Sequence, residues 1–440
     1  MNKYAALLAE FTAPPEKVSK PVGMDDTLNA PQLSAVALPL ANSALVLAGA
    51  GTGKTKTLTN RLSFLINKGV PVSDILVTTF TRAAATEIKQ RVPLVSKSAN
   101  SYIGTAHGLA LRTQAKKLRR YSILGEDDAL KLFLQSTGLT GAKALDTWSE
   151  LNRRREDGRV YDEWAVLFDI YSKEMPPETL DFAMVLEQAI ESEPNFKFKH
   201  VLVDEAQDLT FLHKRWLSSV ALDTHVRFFV GDDDQSIYSF RGGDVGDFRK
   251  TADMPNSQLI TLNDNYRSSP EILVAANNLI SHNKDRFPKE LNSISTSYGT
   301  VTLNGYLTRS EERDHIAKWA QTFKSRTEYV ILARTNELLT ELKHLNLNCK
   351  TVHESKGLEW PNVWIMGLED GVFPHVLAES LEEERRLMYV AVTRAKQHLS
   401  LSYCSRAKSG RLLNVSPFVA ETQEFSQHTP LTSTKFDLNF

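Results

Sequence analysis

The sequence predicts an α/β protein made of two parallel sheets in tandem, with a helical insertion in the first. Three observations carry that expectation. Short apolar runs such as ALVLAG (44–49), ILVTTF (75–80), HVLVDE (200–205) and VRFFVGD (226–232) alternate with helix-forming stretches. Such continuous apolar strands, unlike alternating ones, are buried on both faces, as helix-covered parallel sheets require. A second set follows with QLITL (258–262), VTLNGY (301–306), YVILAR (329–334), NVWIMGL (362–368) and HLSLSYC (398–404). Between them, about 109–195 is poor in strands and rich in helix formers, Arg and Lys.

The whole chain is consistent with this. Its 440 residues are 42% hydrophobic and 24% charged, which suits a globular protein of roughly three folding units. A net charge of −1 excludes a polycation, so contact with nucleic acid would rest on local patches. Cys349 and Cys404 form neither a disulfide framework nor a zinc pattern, which fits a reducing cytoplasm. The first residues carry too short an apolar stretch, broken by Glu10, for a signal peptide, and no run of about 18 apolar residues offers a membrane span.

Residues 1–27, rich in Pro, Lys and Asp, read as a leader. LVLAGAGTGKT (45–55) then runs from strand through a glycine-rich turn into a helix with Leu58, Leu62, Leu65 and Ile66 on one face. Gly49, Ala50, Gly51, Thr52 and Gly53 would wrap a phosphate with backbone N–H groups at the helix N-terminus. Lys54 would reach the β- and γ-phosphates and Thr55 would hold Mg²⁺. Ala48 stands where the usual pattern has its first glycine. VLVDEAQD (201–208) places carboxylates just after a buried strand, beside that loop. Asp204 would join Thr55 on Mg²⁺, and Glu205 would orient and deprotonate the attacking water. These two motifs point to hydrolysis of a nucleoside triphosphate.

The order of further motifs narrows the reading. After LNAPQLSAV (28–36) and the phosphate loop come TFTRAAATEIKQRV (79–92), GTAHGLA (104–110), VDEAQD and VGDDDQSIYSFRGG (230–243). LNDNYRSSPEIL (262–273), VHESKGLEWPNV (352–363) and EEERRLMYVAVTRAK (382–396) complete the series. This succession resembles the superfamily 1 helicases of the UvrD/Rep/PcrA type, from residue 28 to about 420.

The resemblance implies two RecA-like motor domains, 28–108 plus 196–264 and 265–421, with 109–195 as the first insertion (1B) and 422–440 as a tail. It implies ATP and Mg²⁺ as cofactors. Gln32 would read the adenine edge, Tyr266 stack on it and Glu359 accept from the nucleotide. Arg267 and Arg394 would reach the γ-phosphate, and Gln235 would sense it. Tyr266 as core and Arg394 as a helix-surface charge are the plain alternatives. Phe80, Thr81, His107, Tyr238, Phe240, Arg241, Arg334, Asn336 and His353 match positions at or near the DNA strand. A structural histidine is the alternative for His107 and His353. Phe240 stands where the family usually has Trp. The basic runs Lys116–Lys117–Arg119–Arg120 and Arg153–Arg154–Arg155 would touch DNA phosphate or form a solvated face.

The family's second insertion (2B) has no room here: ELLTELKHLNLNCKT alone separates Asn336 from Val352. No nuclease signature follows the last motif. The implied activity is an ATP-dependent translocase on single-stranded DNA and a 3′→5′ helicase, working in the cytoplasm on single strands and single–double-strand junctions in replication, repair or recombination. The alternatives are a translocase that remodels protein–DNA complexes with little unwinding, and an ATPase subunit of a nuclease-containing defence complex. The last residues, with Phe436, Leu438 and Phe440 after a polar tether, are similar to peptides that bind sliding clamps; docking on a clamp or another replication protein competes with folding back onto the second domain.

Overall fold

The computed structural model describes residues 27–423, apart from 97, 99, 115–117, 119, 193, 195, 196 and 255. The leader, the C-terminal docking peptide and most of the first basic run lie outside them. The described residues divide into two units: 27–47 with Lys54–Leu262, and Ala48–Gly53 with 263–423.

The first unit is built on β1 (Ser43–Ala48), β2 (Ile75–Thr78), β3 (Tyr102–Gly104), β6 (Phe198–Val203), β7 (Ala221–Gly231) and β8 (Ser257–Leu262), with the small pair β4 (Ser122–Ile123) and β5 (Thr179–Leu180) in the insertion. The strand order is β3-β2-β6-β7-β1-β8. The pairs β2–β3, β2–β6, β6–β7 and β1–β7 are parallel. Leu45, Val46 and Leu47 of β1 are fully buried, as a strand covered by helices on both faces demands. Helix Lys54–Asn67 lays Leu58, Leu62 and Leu65 into this core.

Two differences from the sequence reading stand out. QLITL, grouped by its apolar run with the second set of strands although the resemblance put 196–264 in the first domain, is β8 and closes the first sheet beside β1. An apolar run shows that a strand is buried, not which sheet it joins. The motif at 104–110 also begins with a strand, β3, too short to give a periodic signal.

The insertion contains helices Glu126–Thr137, Gly141–Glu156, Glu163–Lys173 and Phe182–Glu191. Its core packs Phe133 against Trp148 and Tyr171, with ring centroids 4.9 and 6.2 Å away. Arg155 is buried here, paired to Asp181 at 2.7 Å and Glu187 at 3.1 Å. Arg153 and Arg154 both hold Glu150. The run at 153–155 therefore contributes ion pairs within the insertion, and Arg155 is a core residue, not part of a solvated face.

The second unit adds the short pair β9 (Asp264–Asn265) and β10 (Asn292–Ser293), and a sheet of β11 (Thr300–Tyr306), β12 (Tyr329–Ala333), β13 (Cys349–Thr351), β14 (Trp360–Ile365) and β15 (Ala395–Cys404). Its order is β11-β15-β14-β12-β13, and the pairs are again parallel. Ile316, Ile331, Leu339, Leu342 and Trp364 form one of its cores. The crossover from β12 to its neighbour β13 is the single helix Asn336–His344. Among the described residues, no helix is long and apolar enough to cross a membrane.

Candidate nucleotide and nucleic-acid sites

Strands β2, β6, β7 and β1 are consecutive in the first sheet, so the loops leaving their C-terminal ends meet along one edge. That edge is where parallel α/β sheets bind ligands. β1 delivers the glycine-rich loop, β6 delivers Asp204 and Glu205, β7 delivers Asp232–Gln235, and β2 delivers Phe80.

The phosphate loop turns through positive φ at Gly51 and Gly53, and Thr52 Oγ1 ties back to Gly49 O at 2.9 Å. Asn265 Nδ2 donates to Ala50 O at 2.6 Å, bracing the loop. Lys54 Nζ lies 3.1 Å from Glu205 Oε2, and Thr55 Oγ1 donates to Asp204 Oδ2 at 3.3 Å. Asp204 is buried, and burial first, then Glu205, pushes its carboxyl up to about 7. A hydroxyl beside a carboxyl is a hard-oxygen pair suited to Mg²⁺, and a bound cation would favour the ionised form that burial opposes.

Glu205 has a left-handed backbone, φ 53° and ψ 45°, a conformation that costs a non-glycine residue about 1–3 kcal/mol. Its Oε2 accepts from both Lys54 and Gln207, the latter at 2.7 Å. Gln207 Oε1 in turn accepts from Asp232 N at 3.0 Å, and Gln235 Nε2 donates to Asp232 Oδ2 at 2.6 Å. Gln207 thus joins the two loops. The sequence reading quoted it inside VDEAQD without a role; a glutamine two residues after Glu205 was the available signal. Gln32 is buried, and its side chain closes a capping box with Asn29.

Further along the loop after β7 lies an aromatic face. Phe80 stacks on Tyr238, centroids 5.2 Å apart and planes within 15°. Phe240 leans on Tyr238 at 5.9 Å, and Arg241 lies 5.8 Å from the rings of both Tyr238 and Phe240. Phe80 and Phe240 keep 40% and 52% of their surface exposed, far more than core phenylalanines would. Thr81 caps helix Arg82–Arg91 by accepting from Ala84 N at 3.1 Å. A cavity of about 940 Å³ opens here, between the sheet edge and the insertion. His107 lines it, packed edge-on to Phe182 and His213. Its Nε2 is buried with no hydrogen-bond partner. Burial, then His213, lowers its pKa to about 4, so this imidazole is neutral and is no phosphate-binding cation.

In the second unit Tyr266 is 47% exposed, which sets aside the core alternative. Arg267 Nε lies 2.5 Å from Glu359 Oε2 and Nη1 donates to Thr393 O at 3.2 Å. Burial opposes ionisation of Glu359, but Arg267 and then Lys396 outweigh it and hold the carboxyl below its usual range. Arg394 is buried, donating to Val390 O and Leu358 O, both at 3.0 Å, so it is no helix-surface charge. Arg334 forms a forked pair with buried Glu384, a partner that the sequence reading did not anticipate. Asn336 accepts from Lys343 at 2.6 Å, and His353 sits half-buried in a short turn.

Two family descriptions match this chain: the UvrD/REP helicase N-terminal domain over residues 28–163 and 178–255, and the UvrD-like helicase C-terminal domain over 343–406. The chain is 31% identical over 375 residues to DNA helicase II of Haemophilus influenzae, covering 76% of itself and 51% of that protein. With DNA helicase II of Escherichia coli the identity is 32% over 354 residues, covering 71% and 49%. With ATP-dependent DNA helicase PcrA of Staphylococcus epidermidis it is 30% over 333 residues, covering 66% and 46%. The chain spans about half the length of these relatives.

Proposed function

The chain belongs to the UvrD-like helicase family, and from that premise we propose that it is an ATP-driven motor on single-stranded DNA that unwinds duplexes 3′→5′. One observation carries the motor reading. A hydrogen-bonded path from Lys54 through Glu205 and Gln207 to Asp232 ends on the loop that also bears Tyr238 and Phe240. Chemistry at one end and base stacking at the other share one stretch of backbone.

In this reading Thr55 and Asp204 would hold Mg²⁺, which would supply charge neutralisation at the phosphates. Lys54 exchanges Glu205 for the β- and γ-phosphates as ATP enters. That exchange leaves the Glu205 carboxylate, steadied by Gln207, to orient and deprotonate water. Gln32, Tyr266 and Glu359 serve the base and nucleoside, Arg267 and Arg394 the γ-phosphate, and Gln235 reports it. Phe80, Tyr238 and Phe240 stack on bases with little sequence preference. Thr81, His107, Arg241, Arg334, Asn336 and His353 complete the proposed track. The motor domains are assigned to 28–108 plus 196–264 and to 265–421, with 109–195 as insertion.

A second reading, a translocase that strips proteins from DNA and separates strands poorly, is favoured by the β12–β13 crossover. It is one helix where the family carries its second insertion. Unwinding of 3′-tailed against 5′-tailed duplexes, beside displacement of streptavidin from biotinylated strands, tests both. Unwinding of the 3′-tailed substrate alone supports the helicase. Streptavidin displacement without unwinding supports the second reading, and neither activity refutes both.

A further inference from the structure

We propose that Glu156, at the end of the insertion helix Gly141–Glu156, is a positioning residue that couples DNA on the aromatic face to hydrolysis at Glu205. The proposal rests on the motor reading above and adds to it a role for the insertion.

Thr210 Oγ1 donates to Glu156 Oε2 at 2.6 Å. Thr210 stands five residues after Glu205 and caps helix Phe211–Val220, accepting from His213 N at 3.2 Å. Its backbone also bridges that of Gly243, two residues beyond Arg241. One threonine thus touches the turn after the catalytic carboxylates, the aromatic loop and the insertion.

Shape points the same way. Gly242 has φ +85°, and a Cβ there would lie 2.8 Å from Asp157 Oδ1 and 2.9 Å from Glu156 Cβ. Gly158 has φ +68°, and a Cβ there would lie 2.5 Å from the Phe211 ring. Contacts this close are tolerated only without a side chain. The end of the insertion helix is therefore wedged between the aromatic loop on one side and the helix after the catalytic turn on the other. Movement of either displaces Glu156, and Glu156 passes it on through Thr210. His213 Nδ1 completes the cluster, 2.6 Å from Thr210 Oγ1 and 3.8 Å from Glu156. Close packing makes such a cluster shift between arrangements rather than stretch.

The test is ATP hydrolysis by the full chain, without DNA and across a titration with oligo-dT. Couplings between sites typically span 5–150-fold, so Glu156→Ala should cut the DNA-saturated rate about tenfold, with the DNA-free rate and the half-saturating oligo-dT held within about twofold. Glu156→Gln, which keeps an acceptor for the Thr210 hydroxyl, should recover most of the stimulation. Thr210→Val should reproduce the alanine variant, and the double variant should fall no further, as residues on one path behave. Glu156→Ala with wild-type stimulation overturns the proposal. So does a loss confined to oligo-dT affinity, or one shared equally by the DNA-free rate. If Glu156→Ala fails to melt cooperatively, Thr210→Val decides, and full stimulation in that variant overturns the proposal. A wild type that oligo-dT does not stimulate overturns the motor reading as well.

Discussion

The two units hold a carboxylate beside a basic partner in opposite ways. In the first, Glu205 has a left-handed backbone and offers one oxygen to both Lys54 and Gln207. In the second, Glu384 leaves an ordinary helix, takes three bonds from Arg334 within 3.0 Å, and accepts His375 N at 2.9 Å. Nearby, Arg309 is held by Glu312 and Glu369, both fully buried. One carboxylate has a strained backbone and, in the proposed reading, a partner that ATP would take away; the other is saturated. Strain of this kind persists where the surroundings impose it and the chemistry uses it, whereas a saturated buried pair holds a shape. The Lys54–Glu205 pair is thus one that can be exchanged, and the Arg334–Glu384 pair is one that holds a shape.

The largest expected effect tests the first half of that contrast. Glu205→Gln should slow ATP turnover by about 10²–10⁴-fold, the usual worth of a general base, while leaving ATP bound and the denaturation midpoint nearly unchanged. Lys54→Ala should also stop turnover, but by weakening nucleotide binding. Steady-state hydrolysis beside titration of a fluorescent ATP analogue separates the two routes. Normal turnover in either variant removes the site assignment.

Next comes the saturated pair. Glu384→Ala strands a largely buried guanidinium, and breaking a buried pair costs about 3–5 kcal/mol. Because Arg334 is 21% exposed, a loss near about 3 kcal/mol is expected. Denaturant melts should show this destabilisation in Glu384→Ala and not in Glu205→Gln. Equal stability losses in both would erase the distinction between the units.

A smaller effect is expected on the aromatic face. Phe240→Ala should weaken single-stranded DNA binding by about 1–3 kcal/mol, the worth of one stacked base, with the DNA-free ATPase rate intact. A matching loss without DNA would show that the ring supports the catalytic loops instead.

How much of this was legible in sequence follows from the range of each interaction. The phosphate loop and the Asp204–Glu205 turn were readable because strand, turn and helix are contiguous and each residue type has a local reason. The aromatic face was readable because large rings sat on a loop. The apolar run of β8 did not by itself give its sheet, since its pairing beside β1 spans the whole first unit; only the motif resemblance put 196–264 in the first domain. Arg153–Arg154–Arg155 looked like a surface run because the partners of Arg155 lie 26 and 32 residues away. The partner of Arg334 lies 50 residues away. Glu156 carried no signal at all: its meaning lies in the tertiary approach of Thr210 and Gly242.

The smallest expected effect concerns pH and returns to the first unit. His213 is buried beside Thr210, with Glu156, His107 and Lys214 as its charged or titratable neighbours. Burial, then Lys214, lowers its pKa to about 4. In the unfolded chain it titrates near 6.5. Its neutral form therefore supports the fold fully above pH 6.5, and that support is lost as pH falls from 6.5 toward 4. Asp204, raised to about 7, acts in the opposite sense over the same window, so the wild-type profile alone mixes the two. Comparison with His213→Asn separates them, because Asp204 contributes equally to both proteins. At pH 7.5 the asparagine variant should be the less stable, having lost the packed ring. Between pH 7.5 and 5 the gap should close by on the order of 2 kcal/mol, since only wild type must keep a proton off this position. Urea melts at pH 7.5, 6.5, 5.5 and 5 measure it. A gap that stays constant would mean that His213 titrates normally in the folded protein, and that the cluster around Thr210 is wetter than its packing implies.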